Sequence, residues 1–173
     1  MERTAYPRFG RVVAARELDA LSPSPGEIEW ARERSRSDEH LQGMVVSLKC
    51  FQRLGYFPRE EQLPEVVVEQ IRDCLGLPEG ALQDAPDRTG RWQQELVRER
   101  LGVVSDPERA RSLVEQAIRA EAEVKNHPPD LINVALEVLV REGLKLPGFS
   151  TLNGIAARLR AEVRKHWSSR PYS

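Results

Sequence analysis

Between Leu152 and Lys165, arginine, lysine and asparagine alternate with very small residues, a combination suited to contact with nucleic acid. At about 100° per helical residue, Gly154, Ala157 and Ala161 share one face. Asn153, Arg160 and Arg164 flank that ridge on one side, and Arg158 and Lys165 on the other. Small residues let a helix approach DNA closely, and arginines beside them reach guanine edges or phosphates. The same face also fits exposed alanines chosen for helix propensity and arginines chosen for solubility. Residue types alone leave both readings open. Other chemistry is poorly provided for. His40, His127 and His166 are far apart and lack the spacing of metal ligands. There is no glycine-rich phosphate loop, nucleophile elbow or kinase signature. The carboxylates are spread over charged helical faces, with none marked as a convergent set. The expectation is a non-catalytic chain with no metal and no cofactor.

The basic face needs a helix and a support. Leu152, Ile155, Ala156, Leu159 and Val163 recur at helical spacing and predict a stripe facing a core. Upstream, Leu131, Ile132, Val134, Ala135, Leu136, Val138, Leu139 and Val140 predict a helix too apolar for the surface, packed on most sides as scaffold. Gly143 fits the C′ position of that helix, and Pro147-Gly148 makes a turn. Ser150 or Thr151 then supplies an N-cap oxygen. The layout is that of a helix-turn-helix, with Thr151 and Asn153 near the start of the second helix.

Composition sets the limits. A chain of 173 residues holds one domain or two small ones. With 40% hydrophobic and only 6% aromatic residues, and abundant Leu, Ala, Glu and Arg, an all-α fold is expected. The net charge of -1 excludes bulk attraction to nucleic acid, so affinity must come from local patches. One runs from Ser150 onward, where Arg158, Arg160, Arg164, Lys165 and Arg170 oppose only Glu162. The other is the N-terminal arm, where Arg3, Arg8, Arg11 and Arg16 oppose Glu2 and Glu17. No apolar run is long enough to span a bilayer and the N-terminus lacks a hydrophobic signal region, so a cytoplasmic, nucleoid-associated protein is expected. Cys50 and Cys74 read as buried, reduced thiols.

The remaining elements fall into two expected subdomains. Residues 1–78 contain a basic arm, a short helix from Ala14 to Leu21, a charged helix from Glu27 to Arg36, and a stronger one from Leu41 to Leu54 closed by Gly55. Phe9 either accompanies the arm onto DNA or packs on its own domain. A further helix starts at Leu63-Pro64 and closes at Gly76, making a second helix-turn-helix candidate. Glu60, Glu61, Glu65, Glu69 and Asp73 make its trailing helix acidic. Contact there is therefore expected from Lys49, Arg53 or the arm residues Arg8, Arg11 and Arg16. Residues 79–90 read as a linker, and residues 91–173 as the second subdomain. In that subdomain Asp106 precedes Pro107 at the start of a helix running to about Lys125. Trp30, Trp92 and Trp167 are expected in the core, with an interface role as the alternative.

Three blocks carry a family resemblance: YPRFGR at Tyr6 to Arg11 with ARELDAL at Ala15 to Leu21, LKCFQRLGYFP with LPEVVVEQIRDCLGLP at Leu48 to Pro78, and DLINVALEVLVREGLKLPGFSTLNGIAARLRAEV at Asp130 to Val163. In this order they resemble the N-terminal region of the Tn-three family of replicative transposases. The chain departs from that pattern at Gly90, Arg91 and Trp92, where family members tend to have a basic segment with histidine. The resemblance implies a helical region that recognises the terminal inverted repeats of a transposon. It also implies that the RNase-H-like core and its acidic triad lie elsewhere. Duplex DNA and other transposase subunits are the implied partners. The chief rival is a helical protein-interaction module for assembly or regulation.

Overall fold

The computed structural model describes residues 7–79, 87–125 and 127–169. It is all-α, and no strand occurs among the described residues. The helices are α1 (Ala15–Ala20), α2 (Pro25–Glu33), α3 (Asp38–Leu54), α4 (Glu65–Leu75), α5 (Asp87–Leu101), α6 (Pro107–Glu121), α7 (Pro128–Arg141) and α8 (Phe149–Ser168), with a 3-10 turn at Glu60–Gln62. Among the described residues no helix is long and apolar enough to cross a membrane.

The chain divides into two compact units, Arg8–Gly102 and Val103 onward. The division falls after Gly102, where an αL glycine at φ 66° ends α5, and not in the expected linker at 79–90. Residues 80–86 of that linker lie outside the described residues. The shift has a packing cause, since α5 lies against α3. Val97 is fully buried, the Gln93 amide donates to the His40 carbonyl at 3.3 Å, and the Arg98 guanidinium lies 5.0 Å from the Phe57 ring centroid.

In the first unit α3 is the central post, contacted by α2, α4 and α5. Its N-cap is Ser37, whose hydroxyl accepts from the His40 amide. Met44, Val45, Leu48 and Cys50 are fully buried, and even Gln42 and Lys49 are nearly so. Burial pushes the Cys50 thiol up to about 12, which leaves it an inert hydrophobe. Cys74 departs from expectation. It is exposed, beside Ser22, because α4 buries only Val67, Ile71 and Leu75. Phe9 is 8% exposed and belongs to this core, so the arm is anchored through its aromatic residue.

The second unit is a trihelical stack of α6, α7 and α8 around one hydrophobic cluster. Asp106 caps α6 by accepting from the Arg109 amide at 3.0 Å, and Pro107 occupies the first turn, as the sequence predicts. The helix stops at Glu121, short of Lys125; Asn126, the expected stop, is outside the described residues. α7 buries Leu131, Ile132, Ala135, Leu136 and Leu139 but leaves Val140 63% exposed, so it is scaffold on one face only. Gly143 has φ 65°, with the Leu144 amide donating to the Leu139 carbonyl and the Gly143 amide to that of Val140. These are the two bonds of a Schellman cap, and the left-handed residue it needs is glycine.

The α7–α8 connection, Glu142 to Gly148, exceeds the roughly three- to four-residue turn of a minimal helix-turn-helix. Its extra length is used. Val104 and Leu144 form a parallel bridge, with the Val104 amide donating to the Gly143 carbonyl and the Lys145 amide to the Val104 carbonyl, both at 2.9 Å. α8 then begins at Phe149 with Gly148 as N-cap and no capping side chain. Ser150 and Thr151 are therefore inside the first turn and are not caps, because the extended Gly148 already directs its carbonyl to the Leu152 amide.

Candidate functional site

α8 owes its orientation to one buried stripe. Leu152, Ile155, Ala156 and Leu159 are buried, with Val163 packed partly against them. The opposite face is then open by geometry: Asn153, Gly154, Ala157, Ala161, Arg164 and Lys165 are all exposed, and Arg160 is half-buried. A Cβ added at Gly154 would meet nothing within 4 Å, so the ridge is unobstructed at that position. Among the described residues, no ion pair engages Arg160, Arg164 or Lys165. The ridge and its Asn153–Arg164 flank thus form one accessible basic face. Arg170, expected in the same patch, is outside the described residues.

Arg158 is different. Its guanidinium is turned toward α6, donating to Glu115 at 2.6 Å and to Glu162 at 3.3 Å. Thr151 lies on the same side of the helix. It lines a groove of about 490 Å3 with Asp106, Glu108, Arg111, Lys145 and Ile155. Lys145 and Arg111 were not singled out by the sequence reading, since one sits in the turn and the other on a helix of mixed charge. Only the fold places them beside Thr151.

In the first unit the expected contacts are not all available. Lys49 is buried and paired with Glu27 at 3.2 Å, both side chains being at most 12% exposed. It is withdrawn as a nucleic-acid contact, because α3 is the central post and Lys49 faces α2. Gln52 also donates to Glu27, and the Glu27 carboxylate and Ser24 form a reciprocal capping box at the start of α2. Arg53 is tied to Glu17 of α1 at 2.9 Å. Arg8, Arg11 and Arg16 are exposed. Arg8 and Arg11 share a groove of about 530 Å3 with Glu61 and Gln62, so a carboxylate accompanies them. Trp30 is half-buried between Arg34 and Arg100 at 5.3 and 4.9 Å, whereas Trp92 and Trp167 are exposed and leave the expected core.

The Glu27 site makes a prediction. Burial alone would raise this carboxyl, but hydrogen bonds from Gln52, the Ser24 amide and Lys49 outweigh it and hold Glu27 below its ordinary value. A depressed carboxylate stabilises the fold at neutral pH, and that contribution fades as pH falls through the lowered value. Lys49→Met removes a charged hydrogen bond at a half-buried carboxylate. It is expected to cost the first unit about 1.5–3 kcal/mol in urea unfolding. A loss below about 0.5 kcal/mol, as for an exposed pair, would return Lys49 to the surface.

The face on α8 and the fold behind it can be set against known families. No curated protein sequence matches the chain. A family model described as Domain of unknown function (DUF4158) matches residues 1–159, taking in both units and α8 as far as Leu159. The chain, matched over most of its length, belongs to the DUF4158 family.

Proposed function

We propose that the chain recognises duplex DNA in a sequence-specific manner, as the non-catalytic end-recognition part of a transposase. α7 and α8 act as a helix-turn-helix in which α8 enters the major groove. Asn153, Arg160 and Arg164 lie to one side of the Gly154–Ala157–Ala161 ridge, and Lys145 with Thr151 meets the backbone at the helix start. The observation that carries this reading is the open ridge. Three small residues stand exposed between Lys165 on one side and Arg160 and Arg164 on the other, none of which enters an ion pair among the described residues, on a helix whose other face is locked into a core. A helix face kept only for solubility has no need of glycine at its centre, where that residue costs about 1 kcal/mol of helix propensity. The arrangement of sequence blocks that resembles the Tn-three transposases supplies the class of DNA, the terminal inverted repeats. Arg8, Arg11 and Arg16 provide a second, weaker contact.

The test is enrichment of a randomised duplex pool on the full chain, followed by fluorescence anisotropy of the enriched duplex and a scrambled one across a salt series. Specific binding with a negative salt slope is expected, and Arg164→Ala should weaken it by roughly 1–3 kcal/mol. No enrichment, together with concentration-dependent self-association, would replace this reading with that of an interaction module. Val140 and Trp92 would then be the first residues to test.

A further inference from the structure

The contact between α6 and α8 carries a charge pattern that apolar packing does not require. Ala110, Val114 and Ile118 form the buried stripe of α6. Beside that stripe, at four-residue spacing, run Arg111, Glu115 and Arg119, and along α8 run Arg158 and Glu162. The two rows meet in alternation. Arg111 donates to Glu115 at 3.3 Å, Arg158 bridges Glu115 and Glu162, and Arg119 approaches Glu162 at 3.7 Å. The pairs advance in the same sense along both helices, 115 with 158 and 119 with 162.

We infer that this row is a register key for α8, and that Arg158 is a positioning residue in it and not a DNA contact. The reasoning concerns slip. An apolar stripe of similar side chains tolerates displacement by one helical turn, about 5.4 Å, because hydrophobic contact is non-directional. The charges do not tolerate it. Sliding α8 one turn toward the start of α6 sets Arg158 against Arg111 and Glu162 against Glu115, like charge on like charge in both places. Sliding it the other way sets Arg158 against Arg119. Single exposed pairs contribute little, yet here the difference between registers counts every pair twice, once as attraction lost and once as repulsion gained. Hydrogen bonds from Arg111 and Arg158 hold Glu115 below the ordinary carboxylate range despite some desolvation, consistent with a persistently charged row. The key fixes where the ridge of α8 stands relative to the rest of the unit. Its consequence for binding rests on the DNA reading above.

The experiment uses four full-length proteins: wild type, the α8 row reversed (Arg158→Glu with Glu162→Arg), the α6 row reversed (Arg111→Glu, Glu115→Arg and Arg119→Glu), and both rows reversed, which restores every pair of the alternation. On the enriched duplex, each single-row reversal should lose about tenfold or more in affinity. The protein with both rows reversed should recover to within about threefold of wild type with the salt slope intact. A doubly reversed protein as weak as the α8 reversal, with a slope smaller by roughly 0.9, would show that Arg158 meets a phosphate and overturn the assignment. Urea unfolding of the same four proteins separates the two readings. Non-additivity between the sites without DNA binding by any protein sinks the DNA reading and keeps the key, whereas additive effects sink the key whatever the DNA result.

Discussion

Leu152→Ala should destabilise the second unit by about 2–5 kcal/mol, the range for a large apolar side chain removed from a closed core. Leu152 has no exposed surface and sits one turn into α8, among the buried residues of α6 and α7. Its neighbours on the stripe include Ala156, which is too small to swell into the space left behind. The cavity term should therefore place this variant in the upper half of the range, above a truncation at Ile155, whose side chain is 6% exposed. Urea unfolding of the chain followed by circular dichroism would report it as an earlier transition for this unit. A loss below about 1 kcal/mol, typical of surface substitutions, would mean that α8 is held otherwise than the structure describes.

Gly154→Glu should do the reverse, leaving stability intact while removing the DNA binding proposed above. The site is exposed and has ordinary helical backbone, and a Cβ there meets nothing within 4 Å beyond its own turn of helix. Replacing glycine within a helix should even gain about 0.5–1 kcal/mol. In the proposed complex with DNA the same change puts bulk and negative charge at the point of closest approach, where like-charge contact costs several kcal/mol. A loss of about 100-fold or more in affinity is expected on that basis. Gly154→Ala separates the contributions: its methyl adds helix stability without charge and should cost binding far less. Unchanged affinity in Gly154→Glu would take the ridge out of the interface.

Much of the second unit was legible because local chemistry and tertiary packing agree. Asp106-Pro107 starts a helix for reasons contained in those two residues, and Gly143 ends one because its left-handed conformation suits glycine. The stripe on α8 was readable from periodicity alone, and with it the open face. What was not legible depends on partners distant in sequence. Nothing near Lys49 announces that Glu27 will meet it, so a lysine on an apparently polar helical face became a buried partner. Glu162, four residues after Arg158, is visible in the sequence, but Glu115 on another helix is not, and together they tether Arg158 while no ion pair engages Arg164 among the described residues. The boundary between units moved for a related reason. Turn-forming residues at 79–90 signal a break in helix, whereas unit membership follows from what Val97 and Gln93 pack against.

The bridge between Val104 and Leu144 closes the chain into a ring that contains α6 and α7. Closing a ring of this size carries an entropic cost that grows only slowly with length, and it is incurred once. Afterwards every contact inside the ring forms between tethered partners. α8 therefore starts from the clasp of a closed ring and not from the tip of a free loop, and its first turn inherits the stiffness of that clasp.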